Sequence, residues 1–152
     1  MPHIHEKIDF TVEVLIVFNK RVLLRKHDKY KKWLGVGGHI ELNEDPVQAA
    51  IREAKEEVGL DVEIIGNAKE FNIPDYQELI PPKFLNRHKI NETHEHVSLI
   101  YLATSKTSDL RLSDKEVSED CRWFSKEEIE KSSEIQEHIK EYALTALEEL
   151  KE

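Results

Sequence analysis

Apolar and polar positions divide this chain into a few strongly patterned stretches with polar segments between them. From Phe10 to Phe18 the run FTVEVLIVF is β-branched and aromatic, which predicts a mostly buried strand. Asn19 and Lys20 interrupt it, and RVLLR, Arg21 to Arg25, predicts the returning strand of a hairpin. His27 to Lys32 is polar. Trp33 to Gly38 (WLGVGG) then sets Gly35, Gly37 and Gly38 close together, which predicts a loop of unusual backbone freedom. Asp45 to Val58 carries helix signals at both ends. Asp45 suits the N-cap, Pro46 the first turn, Gln48 completes a capping box, and Gly59 supplies the stop. Val47, Ala50, Ile51, Ala54 and Val58 recur at helical spacing and are expected to face the core.

Downstream, Asp61 to Ile73 reads as strand, with Val62, Ile64 and Ile65 as its apolar patch. Residues 74–93 contain Pro74, Pro81 and Pro82 and read as a long loop of the kind that often carries function. His96 to Ala103 (HVSLIYLA) is a strand and Asp120 to Phe124 a shorter one. Capping boxes at Ser125/Glu128 and Ser133/Gln136 open two more helices. The last carries Ile135, Ile139, Tyr142, Ala146, Leu147 and Leu150 on one face. Strands first, a helix inside and helices at the end imply one α+β layered domain over residues 1–152.

Composition narrows the function classes. No apolar run reaches the length of a membrane span, and the N-terminus has no apolar stretch with a small-residue cleavage site. Cys121 stands alone, so neither an internal disulfide nor a thiolate zinc site can be built, and a cytoplasmic location is expected. The net charge of −9 opposes non-specific binding to long nucleic acid, which is driven by neutralising phosphates. A small anionic ligand fits such a protein if metal ions stand between it and the carboxylates.

Those carboxylates are concentrated. On the predicted helix Glu53, Glu56 and Glu57 share one arc at spacings i, i+3 and i+4, where like charges cost a few tenths of a kcal/mol per pair. Glu44 lies just before the N-cap. Oxygen-only ligands suit magnesium or manganese. Three glutamates on one helix are, taken alone, more often a solvated acidic face.

The full segment Gly38 to Leu60, GHIELNEDPVQAAIREAKEEVGL, resembles the signature of the Nudix family, G-x5-E-x7-R-E-U-x-E-E-x-G-U with U a bulky apolar residue. Gly38, Glu44, Arg52, Glu53, Glu56, Glu57, Gly59 and Leu60 all fall in place, and a chance match of the seven fixed letters is on the order of 10⁻⁶. Two positions depart from the pattern: Ala54 is small for the first U, and Val36 stands where many members have proline. The resemblance implies an α/β/α sandwich with a mixed central sheet and a magnesium- or manganese-dependent hydrolase that cleaves a diphosphate linkage. Carried over by position, it implies that Glu53, Glu56 and Glu57 hold the cations. Glu44 assists them, Arg52 orients a neighbouring glutamate, and Gly37 and Gly38 place backbone groups near the metals. Some members take a further metal ligand or general base from a later loop; the candidates are Glu116 first and Glu119 second, within Leu112 to Cys121.

Other residues carry weaker signals. His94 and His96 put two imidazoles on one strand face, more readily structural or near substrate than a zinc pair. Arg25, Lys26 and Arg87 could meet phosphates, and Trp33, Phe71, Tyr76 and Phe84 could stack on a base; for Trp33, anchoring the glycine loop is as plausible. Pro74 and Tyr76 lie near positions that mark different substrate branches of the family, and so they conflict. The leading expectation is a nucleoside triphosphate giving monophosphate and pyrophosphate. The alternatives are ADP-ribose or a nucleoside diphosphate-sugar, an activity usually found in homodimers, and a catalytically silent nucleotide sensor.

Overall fold

A computed structural model describes residues 7–27, 32–112 and 118–151, with the side chains of 118 and 119 left out. β1 (Ile8–Phe18) turns directly into β2 (Arg21–His27), as the hairpin pattern predicts. Asn19 and Lys20 both take positive φ, 48° and 62°, the geometry of a two-residue turn whose twist matches the strands. The stretch expected to be a glycine loop is instead two short strands, β3 (Lys32–Leu34) and β4 (Val36–His39). Gly35, Gly37 and Gly38 are absent from the positive-φ residues, so what they supply is the lack of a side chain, not a special backbone angle.

After α1 (Pro46–Val58) come β5 (Val62–Ile64), β6 (Phe84–Asn91), β7 (His94–Ser105), β8 (Ser118–Phe124), α2 (Lys126–Lys131) and α3 (Glu137–Glu149). Most strands run a residue or two beyond the expected ends, and β5, β6 and α3 depart further. β5 ends at Ile64, because beyond it Ile65, Phe71 and Ile73 are exposed and there is no apolar face to bury. β6 occupies part of the expected loop. It pairs only with β7 among the described strands, and its polar, half-exposed sequence conceals it. The N-cap of α3 is Gln136 rather than the expected Ser133, and it makes no side-chain capping bond; Ile135 is buried ahead of it and ties the incoming segment to the core. The Ser125/Glu128 capping box forms as expected, at 3.2 and 2.9 Å.

The strands form one mixed sheet with β1 at its centre. β1 runs parallel to β7, from Ile8 opposite Glu95 to Val17 opposite Thr104. Its other edge is divided: Thr11 to Val14 pair with β4, and Ile16 to Phe18 pair with β2. β3 and β8 extend the sheet beyond β2, and β5 and β6 beyond β7. Alternation along β1 builds a core on each face. Val12, Val14 and Ile16 meet Ala49, Ala50, Ala54 and Val58 of α1, while Leu15 and Val17 meet Ile139, Tyr142 and Ala146 of α3 and Ile129 of α2. The result is the three-layer α+β sandwich that the sequence implies. Among the described residues no helix is long and apolar enough to cross a membrane.

α1 is rotated relative to its apolar pattern. Ile51, expected in the core, is 41% exposed, whereas Glu53 and Glu57 are buried with the alanines. The arc facing the sheet is therefore centred on a seam between small residues and carboxylates.

Lys20 holds a left-handed conformation that costs a β-carbon-bearing residue about 1 kcal/mol. Lys20→Gly is expected to raise unfolding stability by about 0.5–1 kcal/mol, read as a higher urea midpoint at unchanged slope.

Candidate active site

The site begins with the two glycines of β4. A β-carbon on Gly38 would lie 1.9 Å from Glu53 Oε2, and one on Gly37 would lie 1.9 Å from the Val12 carbonyl oxygen. Glycine here lets α1 bring a carboxylate onto the strand and lets the strand lie against β1. The three alanines on the buried face of α1 serve the same close approach, which accounts for Ala54 where a larger residue is usual.

Two arginines organise the carboxylates. The Glu57 carboxylate, 3% exposed, accepts the Gly37 N–H at 2.8 Å and is ion-paired with Arg25. Arg52 acts as a fork. Its Nε and Nη2 bond Glu44 at 2.9 and 2.7 Å, and Nη2 also donates to the His39 carbonyl at 3.0 Å. Its Nη1 reaches Glu53 at 2.8 Å and Glu56 at 3.1 Å, with Glu41 at 3.8 Å. The Arg52 guanidinium holds the Glu44 carboxyl below its usual range, and Glu44 in turn raises the pKa of Arg52. Five carboxylates thus gather around two guanidiniums, an excess of negative charge on oxygen ligands. That donor set fits hard divalent cations.

The family model for the NUDIX domain matches residues 9–145. The chain belongs to the Nudix family. A Nudix-family hydrolase from Clostridium perfringens superposes with a TM-score of 0.84 at 37% identity, covering 93% of this chain and 97% of that one. A protein of Lactococcus lactis named probable DHNTP pyrophosphohydrolase is 27% identical over 111 residues, 73% of this chain and 63% of its own length. An m7GpppN-mRNA hydrolase of Xenopus laevis is 30% identical over 131 residues, 79% of this chain and 42% of its own. The Nudix chain described here therefore spans less than two thirds of those two relatives.

The other expected site residues fall in varied places. Arg25, expected at substrate phosphates, is buried and bound to Glu57, so in this structure it supports a carboxylate. Trp33, a candidate for stacking on a base, is 2% exposed. It lies edge-on to Phe124 at 5.1 Å, with Arg122 over its ring at 4.9 Å, so it anchors the β3–β4 segment to the core. Arg87 is exposed on β6 and forms a two-pronged pair with Glu95 at 3.0 and 2.8 Å. Phe84 is stacked on Tyr142 at 4.4 Å, while Phe71 and Tyr76 stay exposed and touch edge to face at 6.0 Å. Glu116 and the side chain of Glu119 lie outside the described residues. Burial pushes the Cys121 thiol up to about 11, which removes it as a nucleophile near neutral pH.

Sequence reasoning passed over Glu13. It interrupts the apolar run of β1, points to the face opposite α1, and accepts the Gly35 N–H at 2.8 Å. Burial pushes its carboxyl up to about 7 against the opposing effect of that hydrogen bond. The signal was available: an acid in the middle of a buried strand breaks the local pattern, and such breaks gather at functional sites.

Because the folded pKa of Glu13 lies above the unfolded value of 4.5, its stabilising contribution is complete below about pH 4.5 and is lost as pH rises through about 7. Glu13→Gln is expected to unfold at a higher urea concentration than wild type at pH 8, by about 1–3 kcal/mol after allowance for solvent screening. The gap should close by about pH 4.5, as measured by urea titrations across that range.

Proposed function

We propose that this chain is a magnesium- or manganese-dependent pyrophosphohydrolase that cleaves a nucleoside triphosphate to a monophosphate and pyrophosphate. The observation that supports it most directly is that the glutamates of the Gly38–Leu60 signature, the box carboxylates, are already held in place by Arg52, Arg25 and the Gly37 N–H. Similarity to a protein named probable DHNTP pyrophosphohydrolase supports a pyrophosphohydrolase reaction. A nucleotide sensor that had lost catalysis would have little use for the whole acidic array.

In this reading Glu53, Glu56 and Glu57 hold the cations. The chemistry such cations would supply is neutralisation of the diphosphate charge and activation of a water. The protein's part is preorganisation. Arg52 fixes three glutamates by charge-assisted bonds that need not form anew when the ligand arrives. Glu44, held below the ordinary carboxylate range, stays ionised and serves as an acceptor rather than an acid. Arg25 reduces the repulsion between buried Glu57 and its neighbours. Glu116 is proposed as the proton acceptor for the attacking water, and no covalent intermediate is needed.

Release of nucleoside monophosphate from a nucleotide panel with magnesium, read by chromatography, is expected to favour triphosphates, and Glu57→Gln to lower kcat at least about a hundredfold. Preference for ADP-ribose would move the assignment to diphosphate-sugars, and binding without turnover would favour a sensor. Arg52→Lys keeps the charge but loses the fork. It should cost about 10–100-fold in kcat/KM and raise the magnesium needed for half-activity, measured by metal titration.

A further inference from the structure

The face of the sheet opposite α1 carries a second cluster with a different donor chemistry. Asp9 at the start of β1 lies opposite His96 of β7, and Thr11, one step along the same face, lies opposite both Ser98 of β7 and His39 of β4. His88 of β6 lies opposite His96 from the other side. Strand alternation therefore gathers one carboxylate and four imidazoles on one face, at one end of the sheet. The Thr11 and Ser98 hydroxyls bond at 2.5 Å just inside them.

We propose that Asp9, His94 and His96 form a binding site for a zinc-class divalent ion, distinct from the box carboxylates, with His39 paired to Asp9 beside it. One ligand atom from each of Asp9, His94 and His96 lies within 4.8 Å of the others, and Asp9 and His94 are buried. Asp9 Oδ2 is 3.1 Å from His94 Nε2 and 3.3 Å from His39 Nε2. In a tetrahedral site with bonds of about 2.0–2.1 Å, neighbouring donors are about 3.3–3.4 Å apart, so the separation of Asp9 from His94 already suits a shared ion. The ring of His94 stands nearly perpendicular to that of His96, at 89° with centroids 5.1 Å apart, so they approach the centre from different directions.

Two imidazoles with one carboxylate select zinc or its late transition-metal neighbours, whereas magnesium keeps to oxygen. A bound ion would clamp the first residues of β1 to those of β7, and the His39–Asp9 pair would carry that restraint to the last residue of β4. His39 also connects the two sites, because its carbonyl accepts the Arg52 guanidinium at 3.0 Å. The ion would hold the strand against which the box carboxylates are placed.

The test uses the full chain without an affinity tag, stripped with chelator and titrated with cobalt(II) in a large excess of magnesium. The expected result is one equivalent of cobalt with the visible bands of a four- or five-coordinate ion, displaced by zinc. Zinc alone should raise Tm by several degrees. Glu56→Gln and His3→Ala/His5→Ala should keep the bands. His96→Gln should abolish them; should that variant misfold, the near-isosteric Asp9→Asn should weaken binding at least tenfold. Absence of bands together with a Tm indifferent to zinc would overturn the proposal. So would bands that survive His96→Gln or Asp9→Asn undiminished, or that vanish with Glu56→Gln.

Discussion

Burying carboxylates beneath a helix is the constraint around which this molecule is arranged. Glu53 and Glu57 are on the sheet-facing arc of α1, where desolvation and mutual repulsion both oppose ionised groups. The structure offsets this with specific partners: a backbone N–H and a guanidinium for Glu57, and the Arg52 fork for Glu53. These partners impose demands of their own. Gly37 and Gly38 have no β-carbon because the carboxylate and the β1 carbonyl occupy that space. α1 uses alanine where most helices use leucine or isoleucine, since only a small face lets the carboxylates reach the strand. Ile51 is turned outward as a consequence of the same rotation.

The helix and its charged residues were legible in the sequence because each signal is local. The N-cap, the proline in the first turn, the capping box and the left-handed Gly59 all lie within or beside α1 itself. The β1–β2 hairpin was legible for the same reason, its two-residue break falling between two apolar runs. β6 was not, because an edge strand with half-exposed polar residues has no apolar alternation to display; its register comes from β7, not from its own sequence. The rotation of α1 was hidden as well, since Val47 and Ile51 suggest one buried stripe and only the strand opposite decides that the glutamates turn inward.

Roles assigned by residue type were less legible than positions. An arginine beside a catalytic centre suggests a phosphate ligand, yet Arg25 is committed to a buried glutamate. A tryptophan next to a glycine run suggests a stacking platform or a loop anchor, and the packing against Phe124 makes Trp33 the anchor. His94 and His96 were visible as a pair, but Asp9 and His39, distant in sequence, meet them only through the pairing of three strands. Long-range register carries that information, and one chain read in isolation does not expose it.

The parallel pairing of β1 with β7 has a kinetic consequence. Residues 8–60 hold the hairpin, the glycine strand and the acidic helix, so this half of the molecule forms through contacts between near neighbours in the chain. The opposite edge of β1 waits for a partner that joins Ile8 to Glu95, and closing so wide a loop is entropically slow. During synthesis the acidic helix can therefore dock before the far side of its sheet exists, leaving the central strand half-clad until β7 emerges.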